Sequence, residues 1–341
     1  MLSAKIVGKG LVEVHDGPIP VPGDGQVLIK LKASALCRSD LHIYHGEKVF
    51  DNSDSTNITP GHEPCGVVEK IGSNVKNVKL GDRVAIYLAS GCGQCSYCLQ
   101  GYPMLCKKFN CLGMDSDGAH ADYVLVSEIN CLPLPNEMSF IQGALSTDVG
   151  GTLYTACKRL GVSGRTTVAI FGIGPMGSGG ILMAKAYGAR VIAVDLDPKR
   201  LEFAKMLGAD ETINPKDFDT VEEIKKLTGG IGADVSIECS GSAICENDAM
   251  NATKALGKVG FIGECKSSTI NPSNQFLRKL LDVKGCWYFN RADWSEITNF
   301  IINRKVPIEK ICSHTFKIQQ ADEAFKLFDQ HGTQKVVFVW D

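Results

Sequence analysis

The sequence lacks several features, and each absence excludes a class of protein. No apolar run approaches the roughly 18 residues that a membrane-spanning helix requires. The amino-terminal segment contains no long apolar stretch of the type found in secretory signals, so we expect a cytoplasmic protein. The formal net charge is only −2, which provides no basic surface for nucleic acids or for an anionic membrane.

What is present is typical of a large globular chain. The 341 residues, 44% of them apolar and 22% charged, are enough for two domains with sizeable cores. The chain contains 14 cysteines, which is a high number. In a long chain without a secretory signal, metal ligation and buried free thiols are more common uses of cysteine than disulfides.

Residues 168–177 are typical of a nucleotide-binding turn. A buried parallel strand is predicted for residues 168–171, and an apolar helical run follows the glycines. Gly172 permits the tight turn, Gly174 lets the backbone approach a pyrophosphate at the helix amino terminus, and Gly177 lets helix and strand pack closely. The spacing therefore predicts a dinucleotide site.

A second buried strand, residues 191–194, ends at Asp195, where a carboxylate can accept hydrogen bonds from ribose hydroxyls. A glycine-rich turn without a ligand is the alternative. The flanking strand, helix and acid together favour the nucleotide site. The predicted loop consists of Gly172, Ile173, Gly174, Pro175, Met176 and Gly177.

The pattern of predicted elements changes along the chain. The first part is rich in short β segments separated by proline and glycine. Within residues 150–287, strands alternate with helices, which predicts a doubly wound parallel sheet. Residues 288–341 do not continue this alternation of strands and helices. We therefore predict a mostly β domain formed by residues 1–149 and 288–341, and an α/β domain formed by residues 150–287.

Cys92, Cys95, Cys98 and Cys106 follow a C-x2-C-x2-C-x7-C spacing. Four thiolates spaced in this way can close a tetrahedral structural zinc site, which stabilises a loop and does no chemistry. A cluster of free thiols is one alternative. A zinc-ribbon module for nucleic acid is another, but the chain offers neither a basic surface nor the supporting element pattern.

A second set of possible metal ligands is scattered over the sequence. Cys37 begins one short polar segment, and His62 and Glu63 are adjacent in another. Asp148 falls in the first half of a helix that a capping box at Ser139 begins and that we expect to run to about residue 160. A catalytic zinc needs about three protein ligands and one open position. Sequence spacing alone cannot show that these segments meet.

The ordered combination of motifs resembles the medium-chain, zinc-dependent alcohol dehydrogenase superfamily, which includes polyol and threonine dehydrogenases. The resemblance covers essentially the whole chain. It rests on Cys37-x-Ser39-x-x-His42, Gly61-His62-Glu63-x-x-Gly66-x-Val68, Gly81-Asp82-Arg83-Val84, the four-cysteine loop and the glycine loop. The resemblance implies an α/β fold in which a Rossmann doubly wound parallel sheet accompanies a mostly β, GroES-like catalytic domain.

The resemblance also implies roles for the scattered ligands. Cys37, His62 and Asp148 match catalytic zinc ligands, and some bacterial secondary-alcohol enzymes likewise have aspartate as the third ligand. Cys37 and Asp148 together balance the charge of the zinc ion. Glu63 would make the site anionic, so it is expected to be a conditional ligand.

Further coenzyme contacts follow from the resemblance. They are Arg38 and Lys335 at the pyrophosphate, Arg200 near the adenosine ribose, and Thr152 beside the nicotinamide. Leu196, after Asp195, stands where a 2′-phosphate binder is expected to have arginine, which favours NAD over NADP.

The implied reaction is reversible oxidation of a secondary alcohol, polyol or cyclitol by NAD, with two zinc ions per chain. Ser39 takes the hydroxyl proton and His42 passes it to water through the coenzyme ribose. Residues 48–59 and 287–291 are expected to line the substrate pocket. Asn290, Arg291 and a polar loop favour a hydroxylated or charged substrate, such as a sugar alcohol, cyclitol or amino acid, whereas Trp287 and Phe50 would equally suit a simple alcohol.

The expected partner is a small-molecule substrate, without nucleic acid or membrane, and the superfamily implies a homotetramer. Two alternatives remain: an L-threonine dehydrogenase, and an NAD-binding structural or sensing relative without turnover. A zinc-free quinone reductase relative is disfavoured because it would lack both cysteine sets.

Overall fold

The computed structural model describes residues 1–49 and 57–341. Residues 50–56, part of the segment expected to line a substrate pocket, lie outside the described residues. The chain divides into two compact units. The first unit comprises Met1–Asp148, Asn290–Ile302 and Glu309–Asp341, and the second comprises Val149–Phe289 and Asn303–Ile308.

The elements follow in chain order. The strands are β1 (Leu2–Gly8), β2 (Leu11–Asp16), β3 (Gln26–Ala35), β4 (Glu63–Ile71), β5 (Arg83–Ile86), β6 (Ala89–Ser90), β7 (Asn110–Cys111), β8 (Tyr123–Ser127), β9 (Cys131–Pro133), β10 (Thr167–Phe171), β11 (Arg190–Val194), β12 (Glu211–Ile213), β13 (Ala233–Glu238), β14 (Thr253–Phe261), β15 (Asp282–Gly285), β16 (Cys312–Phe316) and β17 (Lys335–Val339). The α-helices are α1 (Arg38–Tyr44), α2 (Ser96–Leu99), α3 (Phe140–Leu145), α4 (Gly151–Leu160), α5 (Pro175–Ala186), α6 (Pro198–Met206), α7 (Thr220–Leu227), α8 (Ala243–Ala252), α9 (Trp294–Asn303) and α10 (Ala321–Asp329). No helix within the described ranges is long and apolar enough to cross a bilayer.

The first unit is built on a mostly antiparallel sheet in the order β16-β17-β3-β4-β5-β9, with β8 also paired to β3. Its centre is β3, a strand of ten residues that pairs with β4, β8 and β17. Val27, Ile29 and Leu31 alternate along this strand and are fully buried in one core. Because alternate strand residues share a face, this spacing fixes which side of β3 meets the core.

The second unit contains a six-stranded parallel sheet in the order β12-β11-β10-β13-β14-β15. Since β10 is the first of these strands in the chain, the order is that of a dinucleotide-binding fold, with its switch point between β10 and β13. Residues 168–171 of β10 are buried, as expected for a strand covered on both faces. The predicted fold class, a Rossmann sheet with a mostly β, GroES-like domain, is confirmed.

The predicted start of the helix before Asp148 is correct, but its predicted continuity is wrong. The Oγ of Ser139 accepts the backbone N–H of Gln142 at 3.0 Å, and the side chain of Gln142 accepts the N–H of Ser139 at 2.9 Å. However, α3 ends at Leu145, and a π-helical segment, Ser146–Gly150, precedes α4. The Ser146 hydroxyl donates to the Gln142 carbonyl at 2.6 Å, and side-chain bonds of this kind disturb a regular helix.

Candidate functional site

Three strands of the first unit meet at Ala35. The antiparallel pairing of β3 with β4 places Ala35 opposite Glu63, and the pairing of β17 with β3 places Ala35 opposite Val337. Cys37 follows β3 by two residues, and Lys335 begins β17. Residues that are far apart in the sequence are therefore brought to one edge of the sheet.

Cys37, His62, Glu63 and Asp148 form a cluster at this edge. One ligand atom from each of the four side chains lies within 4.8 Å of the others. The Cys37 Sγ is 3.6 Å from Asp148 Oδ2, and the Ser39 Oγ is 3.4 Å from His62 Nε2. The structure thus brings together the ligands that the sequence left scattered, with the Ser39 hydroxyl beside them.

The π-helical segment delivers Asp148 to this cluster. Asp148 is the third of the five residues in Ser146–Gly150 and the last residue of the first unit. A π-helical turn contains an additional residue, which changes the direction of the side chains relative to an α-helix, and such turns are frequent at functional sites. Asp148 therefore lies in a π-helical turn and not in the α-helix that the sequence predicted for it.

Asp40 is an organising residue of the site that the sequence analysis missed. Its fully buried carboxylate accepts the backbone N–H of Cys37 at 2.8 Å and that of Gly61 at 3.3 Å. Its Oδ1 lies 3.4 Å from His62 Nδ1. A carboxylate at one ring nitrogen orients the imidazole so that Nε2 faces the metal position. The available signal was its place three residues after Cys37, the helix N-cap residue.

Two histidines determine the charge state of Asp40. Burial raises the pKa of the Asp40 carboxyl, but the charge of His62 and the contact with His120 outweigh burial and hold this pKa well below its usual range. The buried His120 lies 3.6 Å from Asp40 Oδ2, and its Nδ1 is 2.9 Å from the Ser34 hydroxyl. In the metal-free site these contacts favour the ionised form of Asp40.

Lys335 lies inside the cluster. Its side chain is 1% exposed, its ammonium contacts Glu63 Oε1, and it also donates to the Leu36 carbonyl at 3.1 Å. Burial lowers the pKa of Lys335, but the negative groups of Cys37, Glu63 and Asp148 outweigh burial and raise it. The ammonium is therefore bound to Glu63 in this structure, and the pyrophosphate contact stays a prediction.

The donor set fits a zinc ion. Thiolate, imidazole and carboxylate are the groups that zinc takes as ligands, and three of them leave one position open for chemistry. Cys37, Asp148 and Glu63 contribute three negative charges when ionised. The two charges of a zinc ion and the single charge of Lys335 balance them. Burial raises the pKa of Glu63, and the charge of Lys335 opposes that shift. With both Lys335 and a zinc ion present, an ionised Glu63 would not make the site anionic.

The four-cysteine loop forms a second cluster in the first unit. The sulfur atoms of Cys92, Cys95, Cys98 and Cys106 all lie within 4.8 Å of one another. The Cys92 Sγ accepts the N–H of Cys95 at 3.3 Å, and backbone N–H groups, that of Gln94 first, lower the pKa of Cys92 to about 6. The Cys106 Sγ accepts the N–H of Lys108 at 3.3 Å. Four converging sulfurs, two of which accept backbone N–H groups, fit a closed tetrahedral metal site.

The glycine loop of the second unit has the form that a pyrophosphate requires. Gly172 has a φ of +83°, and a Cβ at Gly177 would lie 2.0 Å from the Gly172 carbonyl oxygen, so the turn admits no side chain there. A Cβ at Gly174 would meet nothing within 4 Å, which leaves open space at the start of α5. Pro175 and Met176 begin that helix.

Asp195 connects the end of β11 to this loop. One carboxylate oxygen accepts the N–H of Ile173 at 2.6 Å, and the other accepts the N–H of Asp197 at 2.9 Å. The guanidinium of Arg200 lies 3.7 Å from the same carboxylate. Thr152 is buried within α4 of the same unit. The structure therefore brings the glycine loop, Asp195 and Arg200 together, while their coenzyme contacts stay predictions.

The remaining predicted residues lie near the surface of the first unit. The guanidinium of Arg38 is 2.7 Å from His331 Nδ1, a partner that the sequence analysis did not anticipate. The ring of His42 is about half exposed and lies 2.7 Å from the Glu47 carboxylate. The amide of Asn290, expected in the substrate pocket, instead donates to the Gln100 carbonyl at 2.6 Å.

Comparison with known proteins agrees with this organisation. The family described as Alcohol dehydrogenase GroES-like domain matches residues 23–136, and the family described as Zinc-binding dehydrogenase matches residues 175–303. The alcohol dehydrogenase of Geobacillus stearothermophilus is 40% identical over 296 residues, which cover 86% of this chain and 87% of that protein. An L-threonine 3-dehydrogenase of Pyrococcus horikoshii is 33% identical over 97% of this chain and 95% of its own length. The crystal structure of 2R,3R-butanediol dehydrogenase from Bacillus subtilis matches with a TM-score of 0.89 and 28% identity, covering 100% of this chain and 99% of that one. With both family domains matched and the two cysteine-containing clusters in place, the chain belongs to the medium-chain, zinc-type alcohol dehydrogenase superfamily.

Proposed function

We propose that this chain is a dehydrogenase that reversibly oxidises a secondary alcohol, polyol or cyclitol with NAD and holds two zinc ions. The observation that carries the proposal is the convergence of Cys37, His62 and Asp148 beside the hydroxyl of Ser39. When bound, a zinc ion acts as a Lewis acid on the substrate hydroxyl and NAD accepts a hydride, so that the alcohol becomes a carbonyl compound.

The metal-holding residues have distinct tasks in this proposal. Cys37, His62 and Asp148 are the three protein ligands of the catalytic ion and leave one position for the substrate oxygen. Asp40 fixes the orientation of His62 through Nδ1. Lys335 contacts Glu63 Oε1 with its ammonium and would compete with the ion for this oxygen, so Glu63 remains a conditional ligand. The four-cysteine loop holds the second, structural ion.

Ser39 is the first proton acceptor. Its Oγ lies 3.4 Å from His62 Nε2, the ring atom that faces the metal position. A hydroxyl there is adjacent to the open ligand position, and it can accept the substrate proton while it passes its own proton on. The half-exposed imidazole of His42 then returns a proton to water, which its position on α1 allows.

The coenzyme assignment rests on the second unit and on one side chain of the first. The space beside Gly174 accommodates the pyrophosphate, and we assign Arg38 to its charge. Asp195, at the end of β11, accepts the ribose hydroxyls and repels a 2′-phosphate, which favours NAD over NADP. We assign Arg200 to the adenosine ribose and Thr152 to the nicotinamide.

The substrate class is the most specific part of the proposal. The named activities of the relatives above support an alcohol or a diol. The side chain of Arg291, like that of Asn290, is directed to a backbone carbonyl, that of Ile129 at 3.4 Å, so a polyol preference does not depend on this pair. L-Threonine is a second candidate substrate, favoured by a relative that spans nearly the whole chain. We further propose a homotetramer, which light scattering tests.

The test combines a substrate panel with metal analysis. Zinc-replete protein is assayed for NADH formation with secondary alcohols, polyols, cyclitols and L-threonine, and each is repeated with NADP. Elemental analysis should give two zinc ions per chain. Cys37→Ser should lose one of them together with the activity, whereas Cys312→Ser, a cysteine outside both clusters, should keep both. A protein that holds two zinc ions but oxidises none of these compounds would be the silent relative instead.

A further inference from the structure

The carboxyl end of α1 has a specific turn that determines which side chains meet there. The N–H of Gly46 bonds the Ile43 carbonyl at 2.9 Å, and the N–H of Glu47 bonds the His42 carbonyl at 2.8 Å. Gly46 has a φ of +76°, the left-handed conformation that glycine adopts readily. These two bonds and this conformation define a Schellman motif, which brings the side chains of its first and last residues into contact.

The contact in this motif is polar. A Schellman motif usually joins two apolar side chains at these positions, but here they are His42 and Glu47. His42 Nδ1 lies 2.7 Å from Glu47 Oε2. The side chains are 49% and 54% exposed, and an exposed pair of this kind contributes little to folding. Stability therefore does not account for the pair.

We propose that Glu47 is a positioning residue for the proton-relay histidine, an inference that rests on the proposed function. By accepting the Nδ1–H of His42, Glu47 fixes the ring orientation and the tautomer, so that Nε2 carries the lone pair. In turnover, Nε2 accepts one proton and later returns one proton to water, while Nδ1–H remains donated to Glu47. The proton count is balanced and no electrons move.

The same helix end supplies a matched control. His45, three residues after His42, also faces a carboxylate, with its Nε2 2.8 Å from Asp329 Oδ1. Its ring is 40% exposed, similar to that of His42. The relay does not include His45. Asp329→Ala therefore removes an equivalent histidine partner without affecting the relay.

A double-mutant cycle tests whether Glu47 acts through His42. We expect His42→Ala to lower kcat about 10-fold and Glu47→Ala to lower it about 3-fold. In the His42→Ala background, Glu47→Ala should have no further effect, because its target is absent. Glu47→Gln should keep nearly full activity, since the amide oxygen still accepts the Nδ1–H. Asp329→Ala should leave kcat unchanged.

A second readout does not depend on turnover. In protein with 15N-labelled histidine at a pH where the ring is neutral, the imidazole nitrogen shifts should report the Nδ1–H tautomer for His42 in the wild type and in Glu47→Gln. Glu47→Ala should lose that signature, and the His42→Ala spectrum assigns it. Circular dichroism confirms that each variant is folded.

The possible outcomes distinguish a failure of this inference from a failure of the proposed function on which it rests. A Glu47→Ala enzyme with full kcat, or one that loses the same factor with and without His42, overturns the positioning role. If His42→Ala itself is fully active, the proton relay is wrong and the role of Glu47 is overturned with it. Zinc content and NADH formation would survive that result. Failure of NADH formation in the wild type would instead contradict the proposed function.

Discussion

Replacing Lys335 with methionine tests the charge balance of the metal cluster. Lys335 is 1% exposed and its partner Glu63 is fully buried, so the pair is shielded from water. Methionine keeps most of the side-chain volume and removes the charge. Removing the ammonium that pairs with a buried carboxylate should lower the free energy of unfolding by about 3–5 kcal/mol. The first unit should carry this loss, because both residues belong to it.

Tryptophan fluorescence can report on that unit alone. The chain has three tryptophans, of which Trp294 and Trp340 lie in the first unit and Trp287 in the second. In a Trp287→Phe background, denaturant unfolding of the zinc-replete protein followed by fluorescence therefore measures the first unit. Lys326→Met is the matched control. Its ammonium pairs with Asp322 at 2.6 Å on the surface, so we expect a change within about 1 kcal/mol.

The double variant Lys335→Met with Glu63→Gln separates the charge from the lysine side chain. Because glutamine carries no charge, the double variant should recover most of the stability lost by Lys335→Met. A Lys335→Met protein as stable as the wild type would refute the reasoning, since it would mean that Glu63 is not ionised in the folded chain. An unchanged stability together with weaker NADH binding would instead support the pyrophosphate contact expected from the sequence.

Three further predictions concern the other parts of the site. Asp40→Asn should lower the zinc affinity of the catalytic cluster about 10- to 100-fold in chelator competition, while the four-cysteine loop keeps its ion. Equal retention of zinc at both sites would contradict this prediction. In metal-free protein, alkylation of Cys92 should be constant above pH 7 and should slow about tenfold per unit below pH 6, because the reactive thiolate is lost as the pH falls through its pKa of about 6. Peptide mapping that shows no such dependence would refute this thiolate. Asp195→Gly should erode a preference for NAD of about a hundredfold in kcat/KM, and equal use of NADP by the wild type would refute that preference.

Local spacing explains which features were predictable. The ligands of the four-cysteine loop lie within 15 residues of one another, from Cys92 to Cys106, and the glycine loop is a single strand-turn-helix unit. Features of this size are determined by neighbouring residues, so their spacing predicts their geometry. The grouping of Cys37, His62 and Asp148 has no such local cause. Its prediction depended on the family resemblance. In the structure, the pairing of β3 with β4 brings Cys37 and His62 together, and the π-helical segment adds Asp148.

Two residues show why the rest of the site could not be predicted. From the family resemblance alone, Lys335 was expected to meet the coenzyme pyrophosphate. Its partner is Glu63, which is 272 positions away in the sequence and becomes adjacent only when β17 pairs with β3. Asp148 was assigned to a continuous helix because apolar periodicity carries no information about a π-helical turn. In both cases the position of the residue depends on tertiary structure, which local sequence patterns do not contain.

The register of β3 against β4 determines which side chains reach the metal cluster. His62 directly precedes β4, and Glu63 is its first residue, opposite Ala35. Successive strand residues point to opposite faces, so a slip of one residue would send Glu63 away from Lys335 and move His62 away from Cys37. The pairing contains irregularities between Leu28 and Ile29 and between Leu31 and Ala33. Such irregularities bend a strand and fix its register near functional sites. The buried alternation of Val27, Ile29 and Leu31, which opposes any slip, thereby helps to hold a metal cluster that contains none of those residues.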